Sequence, residues 1–283
     1  MVGQYGTRTV TAFGDPIMSG HFLAVVFCMA LGWALGTENH RERIWSLILA
    51  VLALVPLLTS GSRGPIVAAI LTGSILIFFS AIKNKKVFLF IPIGMLLVLY
   101  SKDIFQFLDG TGIFRVVLER FSYGYKSTRW EYWAAVLSMA KSYPFGVGIG
   151  NYPYVAPMNI PGYLLYIVAP EGSYINIHAE SMYFTQLIEN GWLGFLAFLG
   201  VVSSSVFYSW KLFLDSKNAA SGTERSIRAG MFGAWMSIAL SMVTTYGYNN
   251  VGIAMLFWFL VGLSMISQDR LRLVSIERPT RTV

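Results

Sequence analysis

The sequence predicts an all-α, polytopic membrane protein, and three observations carry that prediction. Hydrophobic residues make up 55% of the 283-residue chain, charged residues only 12%, and the mean hydropathy is +0.58, a composition outside the range of soluble domains. The apolar residues gather into runs close to a bilayer crossing in length, about twenty residues in a helix. The charges fall between those runs. About seven crossings fit, together with one segment, 101–180, too long and too polar to lie within a bilayer. The whole chain, 1–283, is expected to form a single membrane domain with that segment as its large loop.

Ile17 to Gly36 is the first run, closed by the polar stretch 37–43, and Ile44 to Ser60 is the second. The second ends in Gly61-Ser62-Arg63-Gly64-Pro65. Proline suits the first turn of a helix, where its missing N–H would have had no partner, so the third run is expected to open at Pro65 and end at Ile82. Lys83-Asn84-Lys85-Lys86 separates it from a short fourth run, Val87 to Tyr100. Beyond the loop lie Ser181 to Trp210, Ile227 to Tyr246 and Asn249 to Ile266.

The net charge of +7 could serve nucleic acid, but the placement of the basic residues argues for membrane topology. Alternate connections, 37–43, 83–86, 211–228 and 267–283, hold 13 of the 21 Lys and Arg residues. By the positive-inside rule those connections are cytoplasmic, which turns the N-terminus, Arg63 and all of 101–180 outward. Met1 to Arg8 lacks the charged n-region and small-residue cleavage site of a secretory signal.

The loop carries helical patterning of its own. Ile113, Phe114, Val117, Leu118 and Phe121 fall on one helical face, and Trp130, Trp133, Leu137 and Ala140 on another. Such helices suit the headgroup region of a bilayer; equally, they suit a small cap packed on the membrane helices. Both arrangements keep the loop close to the membrane plane.

Three places could carry chemistry. Arg63 stands in a glycine-flanked turn at the outer end of a crossing, where a charge needs a partner or a function; a helix N-terminus beside it is a ready anion site. The plainer reading is an arginine snorkelling to lipid headgroups. Thr128-x-x-Glu131 reads as a capping box that makes Arg129 the first residue of a helix. A cation there opposes the helix dipole by roughly 0.3–1 kcal/mol, so an anion bridging it to the helix end would explain it; a solvated loop arginine is the alternative. His178 and Glu180 precede the fifth crossing, where either could take a proton from a hydroxyl or simply be an interfacial polar residue.

Other chemistries find no support. Gly146-x-Gly148-x-Gly150 follows a helical pattern and a proline where a dinucleotide fingerprint needs a strand. The histidines, at 21, 40 and 178, have no acidic cluster beside them, and Cys28 is the only cysteine, so neither a metal site nor a disulfide framework within the chain can be argued. No cofactor is expected, and no nucleic-acid partner.

Taken together these residues resemble the O-antigen ligase and Wzy-type polysaccharide polymerase superfamily. Arg8 to Leu23, with Gly14-Asp15-Pro16 and Gly20, is similar to its segment before a middle membrane helix, and Thr59-Ser60-Gly61-Ser62-Arg63-Gly64 to its Ser-Arg-Gly signature. Arg129-Trp130-Glu131-Tyr132-Trp133 and Tyr143-Pro144-Phe145-Gly146-Val147-Gly148-Ile149-Gly150-Asn151 resemble its arginine–tryptophan helix and glycine turn. Glu180-Ser181-Met182-Tyr183, with Gln186 and Glu189-Asn190-Gly191-Trp192-Leu193-Gly194, is similar to its closing motif. Two departures stand out. Glu180 occupies the position where members commonly have histidine, with His178 two residues earlier, and members usually have several membrane helices before the equivalent of Ile17.

The resemblance implies a metal-independent, inverting membrane glycosyltransferase of the C type, without nucleotide. It would move a glycan from undecaprenyl diphosphate to an acceptor hydroxyl, on glycan or lipid, at the outer side of the cytoplasmic membrane, as a polymerase or a ligase. Arg63 and Arg129 would then bind the diphosphate, and His178 or Glu180 would be the base. The competing expectation is a non-catalytic membrane protein, either a transporter of lipid-linked glycans or a degenerate, truncated relative.

Overall fold

The computed structural model of the chain describes residues 14–83, 129–152, 155, 181–219, 221–244 and 252–263. Its helices are α1 (Pro16–Gly36), α2 (His40–Thr59), α3 (Arg63–Lys83), α4 (Arg129–Ser142), α5 (Met182–Leu214), α6 (Gly222–Ser241) and α7 (Gly252–Leu263). Among the described residues five helices are long and apolar enough to cross a membrane, namely α1, α2, α3, α5 and α6 with the turn that follows it. The all-helical, polytopic expectation stands. The short fourth run, Val87–Tyr100, and the pattern Ile113–Phe121 lie outside the described residues.

Helix α1 is the axis of the bundle. The Asp15 carboxylate caps it, accepting the N–H groups of Ile17 at 2.6 Å and Met18 at 3.1 Å, and Pro16 occupies its first position, where no N–H is needed. Its buried residues, among them Ala24, Val25, Cys28 and Ala34, cover most of the helix, and the face they leave, Phe22, Val26, Met29 and Trp33, is apolar too. Such an all-round apolar surface belongs at the centre of a bundle.

Helix α6 runs antiparallel along α1. His21 meets Ser241 at one end, Cys28 meets Gly233 and Gly32 meets Ala229 in the middle, and Gly36 meets Ser226 at the other end. A Cβ on Gly32 would lie 2.5 Å from the Ala229 carbonyl oxygen, so the two backbones touch. Lipid tails are as apolar as these helix faces, so close packing, not transfer from water, holds the seam. The His21 ring nitrogen Nδ1 and the Ser241 hydroxyl share a hydrogen bond of 2.7 Å, and that hydroxyl also lies 3.1 Å from the Ile238 carbonyl oxygen.

Helix α3 lies parallel to α1: Gly20 meets Ser62, the Cys28 thiol reaches the Ala69 carbonyl, and Gly73 meets Leu31. Helix α5 lies antiparallel to α6, with the Tyr183 hydroxyl donating to the Ala239 carbonyl near one end and Trp210 packed on Phe232 toward the other. It follows that α1, α3 and α5 all begin at the same end of the bundle. Arg41, Arg43, Arg225 and Arg228 gather at the other end, where Arg225 pairs with Glu38 at 2.9 Å and Arg228 with Glu224. Helix α2 turns Ala50, Ala53 and Leu57 inward and Trp45, Leu49 and Leu52 outward, the large-outside pattern of a lipid-facing helix.

Two sequence expectations are corrected. Helix α3 opens at Arg63, two residues before Pro65: the Ile66 N–H already bonds the Ser62 carbonyl, and Pro65, at the third position, still sits where no N–H partner exists. On α4 the inward stripe is Trp133, Val136, Met139 and Ala140, while Leu137 is exposed. The helix packs as a cap on the start of α5, with Trp133 against Phe184 at 5.2 Å and Val136 and Met139 in one cluster with Ile188. That is the second of the two arrangements its pattern allows.

Candidate functional site

Four helices start at one end of the bundle. Because Trp133 meets Phe184 and, further along both helices, Met139 shares a cluster with Ile188, α4 runs parallel to the first turns of α5. Arg129, the first residue of α4, therefore lies toward the same end as Met182, the first residue of α5. Arg63, the first residue of α3, lies at that end too. Each helix start presents unpaired N–H groups equivalent to roughly half a positive charge. At α1 the Asp15 carboxylate satisfies two of them; at α5 the Ser181 side chain makes no cap bond.

Arg63 is half-buried, and no ion pair to it is present among the described residues. Its turn is braced from below. The Ser62 hydroxyl donates to the Pro16 carbonyl at 2.9 Å, the Ser62 N–H bonds the Ser60 hydroxyl, and Gly61 takes a positive φ of 63°. Gly20 on α1 leaves the space that Ser62 fills: a Cβ there would come within 2.9 Å of the Ser62 Cβ. The Asp15-Pro16/Gly20 motif and the Ser-Arg-Gly motif are thus two sides of one contact.

The other two motifs also meet. After α4 the chain makes a glycine turn, and the turn lies on α5 where α5 breaks at Gly191, whose φ of 67° and ψ of −173° are non-helical. Val147 N–H bonds the Ile188 carbonyl at 2.9 Å, Gly148 N–H the Glu189 carbonyl at 3.0 Å, and Trp192 N–H the Pro144 carbonyl at 3.0 Å. A Cβ on Gly146 would fall 2.3 Å from the Glu189 carbonyl oxygen, and one on Gly191 would fall 2.4 Å from that of Pro144. The backbone amides of Gly150 and Tyr152 face the side chain of Glu189, which is 9% exposed.

Of the residues singled out in the sequence, Arg63 and Arg129 are brought to one end of the bundle as helix starts. His178, Glu180 and the capping residue Thr128 lie outside the described residues. Glu189 stands in the closing motif, but sequence reasoning assigns it no role. Its signal is a carboxylate inside a crossing, two residues before Gly191, where a charge is expensive without a purpose. Among the described residues no group of three or more His, Cys, Asp and Glu is placed to hold a metal.

These features define a class: a polytopic, all-helical membrane protein in which Arg63 and Arg129 open two helices that begin toward one end of the bundle. The family model described as O-Antigen ligase, Wzy_C, matches residues 48–199, more than half of the chain, and the chain belongs to that family. No curated protein and no solved structure matches it. The match takes in Arg63, the arginine helix, the glycine turn and the Gly191 break; the Asp15–Gly20 segment lies before it.

Proposed function

We propose that the chain is a membrane glycosyltransferase that moves a glycan from undecaprenyl diphosphate to an acceptor hydroxyl, on a glycan or a lipid, at the outer face of the cytoplasmic membrane. Membership of the O-antigen ligase family supports a ligase or polymerase in the membrane. The observation that carries the finer reading is that Arg63 and Arg129 open two helices which begin at the same end as α5. The gathering of Arg41, Arg43, Arg225 and Arg228 at the opposite end supports turning the site end outward.

In this reading the two guanidinium groups grip the diphosphate. Guanidinium stays charged and pairs bidentately with phosphate oxygens. Helix-start N–H groups add to the field, and both are aimed at charge that grows on the leaving diphosphate as the sugar–phosphate bond breaks. His178 or Glu180, four and two residues before the start of α5 at Met182, removes the proton from the incoming hydroxyl. The hydroxyl attacks opposite the leaving group, so the anomeric carbon inverts, and no metal is used.

The test is transfer in proteoliposomes from a lipid-diphosphate glycan, with Arg63→Ala and Arg129→Ala beside the unaltered protein. Each variant should lose about two to three powers of ten in rate, as expected when a donor aimed at developing charge is removed. Addition of a chelator should leave the unaltered protein's rate unchanged. Transfer by the unaltered protein with both alanine variants equal to it would sink the diphosphate grip.

A further inference from the structure

We propose that Glu189 is a positioning residue, pinning the Gly146–Asn151 turn to α5 and thereby fixing where the helix that begins at Arg129 stands; the inference rests on the glycosyltransferase reading. The case begins with burial. A carboxylate within an apolar helix face is rarely kept unless it is paired, and among the described residues no Lys or Arg forms an ion pair with Glu189. What it meets instead is backbone: its side chain faces the amides of Gly150 and Tyr152, and its own carbonyl accepts the Gly148 N–H at 3.0 Å. One residue thus meets three backbone amides of a single turn, Gly148, Gly150 and Tyr152.

Geometry gives the latch its leverage. Helix α4 packs chiefly on α5 among the described helices, so its direction depends on that contact and on the turn at its end. The turn grips α5 at one end of α4, and Arg129 is at the other, fourteen residues away along the helix. At 1.5 Å per residue that is about 21 Å, so a tilt of about 5° at the latch moves Arg129 by about 2 Å. A misplacement of about 1 Å can slow a positioned reaction about a hundredfold. The same α5 turns lead directly out of the segment that carries His178 and Glu180, so the latch sets the arginine helix against the start of α5. Glu189 itself need not touch substrate.

Amide hydrogen exchange and transfer kinetics on the full chain in proteoliposomes, with Glu189→Ala and Glu189→Gln, test this. Glu189→Ala should speed exchange at Gly150 and Tyr152 at least tenfold and cut kcat about a hundredfold, with a much smaller change in KM for the lipid-diphosphate donor. Glu189→Gln keeps an acceptor oxygen, so it should restore protection at the turn and bring kcat to within about tenfold of the unaltered protein. Unchanged exchange in Glu189→Ala overturns the latch whatever the activity. A protected turn with no transfer in Glu189→Gln also overturns it, because the carboxylate would then be acting chemically. If the unaltered protein transfers nothing, the glycosyltransferase reading falls, and the exchange comparison still decides the latch.

Discussion

The seam between α1 and α6 and the docking of the glycine turn on α5 both rest on glycines with no room for a side chain, yet the reasons differ. In the seam the backbone is helical and only space is short: Gly32 lies against Ala229 and Gly36 against Ser226. At the turn space is short and the backbone is also one that glycine alone adopts, since Gly191 has φ 67° and ψ −173°. The seam assembles a bundle that any small-residue pair could assemble. The turn selects one conformation of a connection, and that connection carries the family's motifs. Rigidity spent on a seam yields a folded protein; spent on the turn that joins the end of α4 to α5, it fixes how those two helices stand together.

Alanine separates the two regions. Gly191→Ala should have the larger effect, about 3 kcal/mol or more, because backbone strain adds to a Cβ 2.4 Å from the Pro144 oxygen. It should free the turn, seen as faster amide exchange at Val147, Gly148 and Trp192, and abolish transfer while the crossings stay assembled. Gly32→Ala should cost about 1–3 kcal/mol by forcing α1 from α6, seen as a lower thermal midpoint in detergent with transfer reduced only by the loss of folded protein. If Gly32→Ala instead stopped transfer at full stability, the seam would belong to the site and the distinction would collapse.

The sequence made much of this legible, and the residues say why. Arg129 as a helix start and the crossings themselves are set by local rules: capping chemistry, run length and charge placement. The start of α3 slipped by two residues because proline is tolerated anywhere in a first turn, so Pro65 does not mark its beginning. Leu137 was assigned to the wrong face because α4 packs through Val136 and Met139, and a helix of such mixed apolar pattern has no unique stripe. The antiparallel pairing of Gly32 and Gly36 with Ala229 and Ser226 was not legible at all, since small residues in separate crossings carry no mark of their partners. The docking of Gly146 on Gly191 was present only as two motifs, with nothing in either to say they meet. Glu189 hid among them for the same reason, its partners being backbone N–H groups that no side-chain pattern records.

The smallest expected effect tests the premise beneath the comparison. Gly200 lies on α5 with a helical backbone, exposed, and nothing within 4 Å of where a Cβ would stand. If space and φ are what make glycine indispensable at Gly32 and Gly191, then Gly200→Ala should shift stability by no more than about 0.5 kcal/mol. The greater helix propensity of alanine biases that shift toward stabilisation. The measurement is the same thermal midpoint, with transfer as a second readout, and both should match the unaltered protein. A loss as large as that of Gly32→Ala would mean that alanine harms these helices for a reason other than contact, and neither the seam nor the turn could then be argued from the missing Cβ.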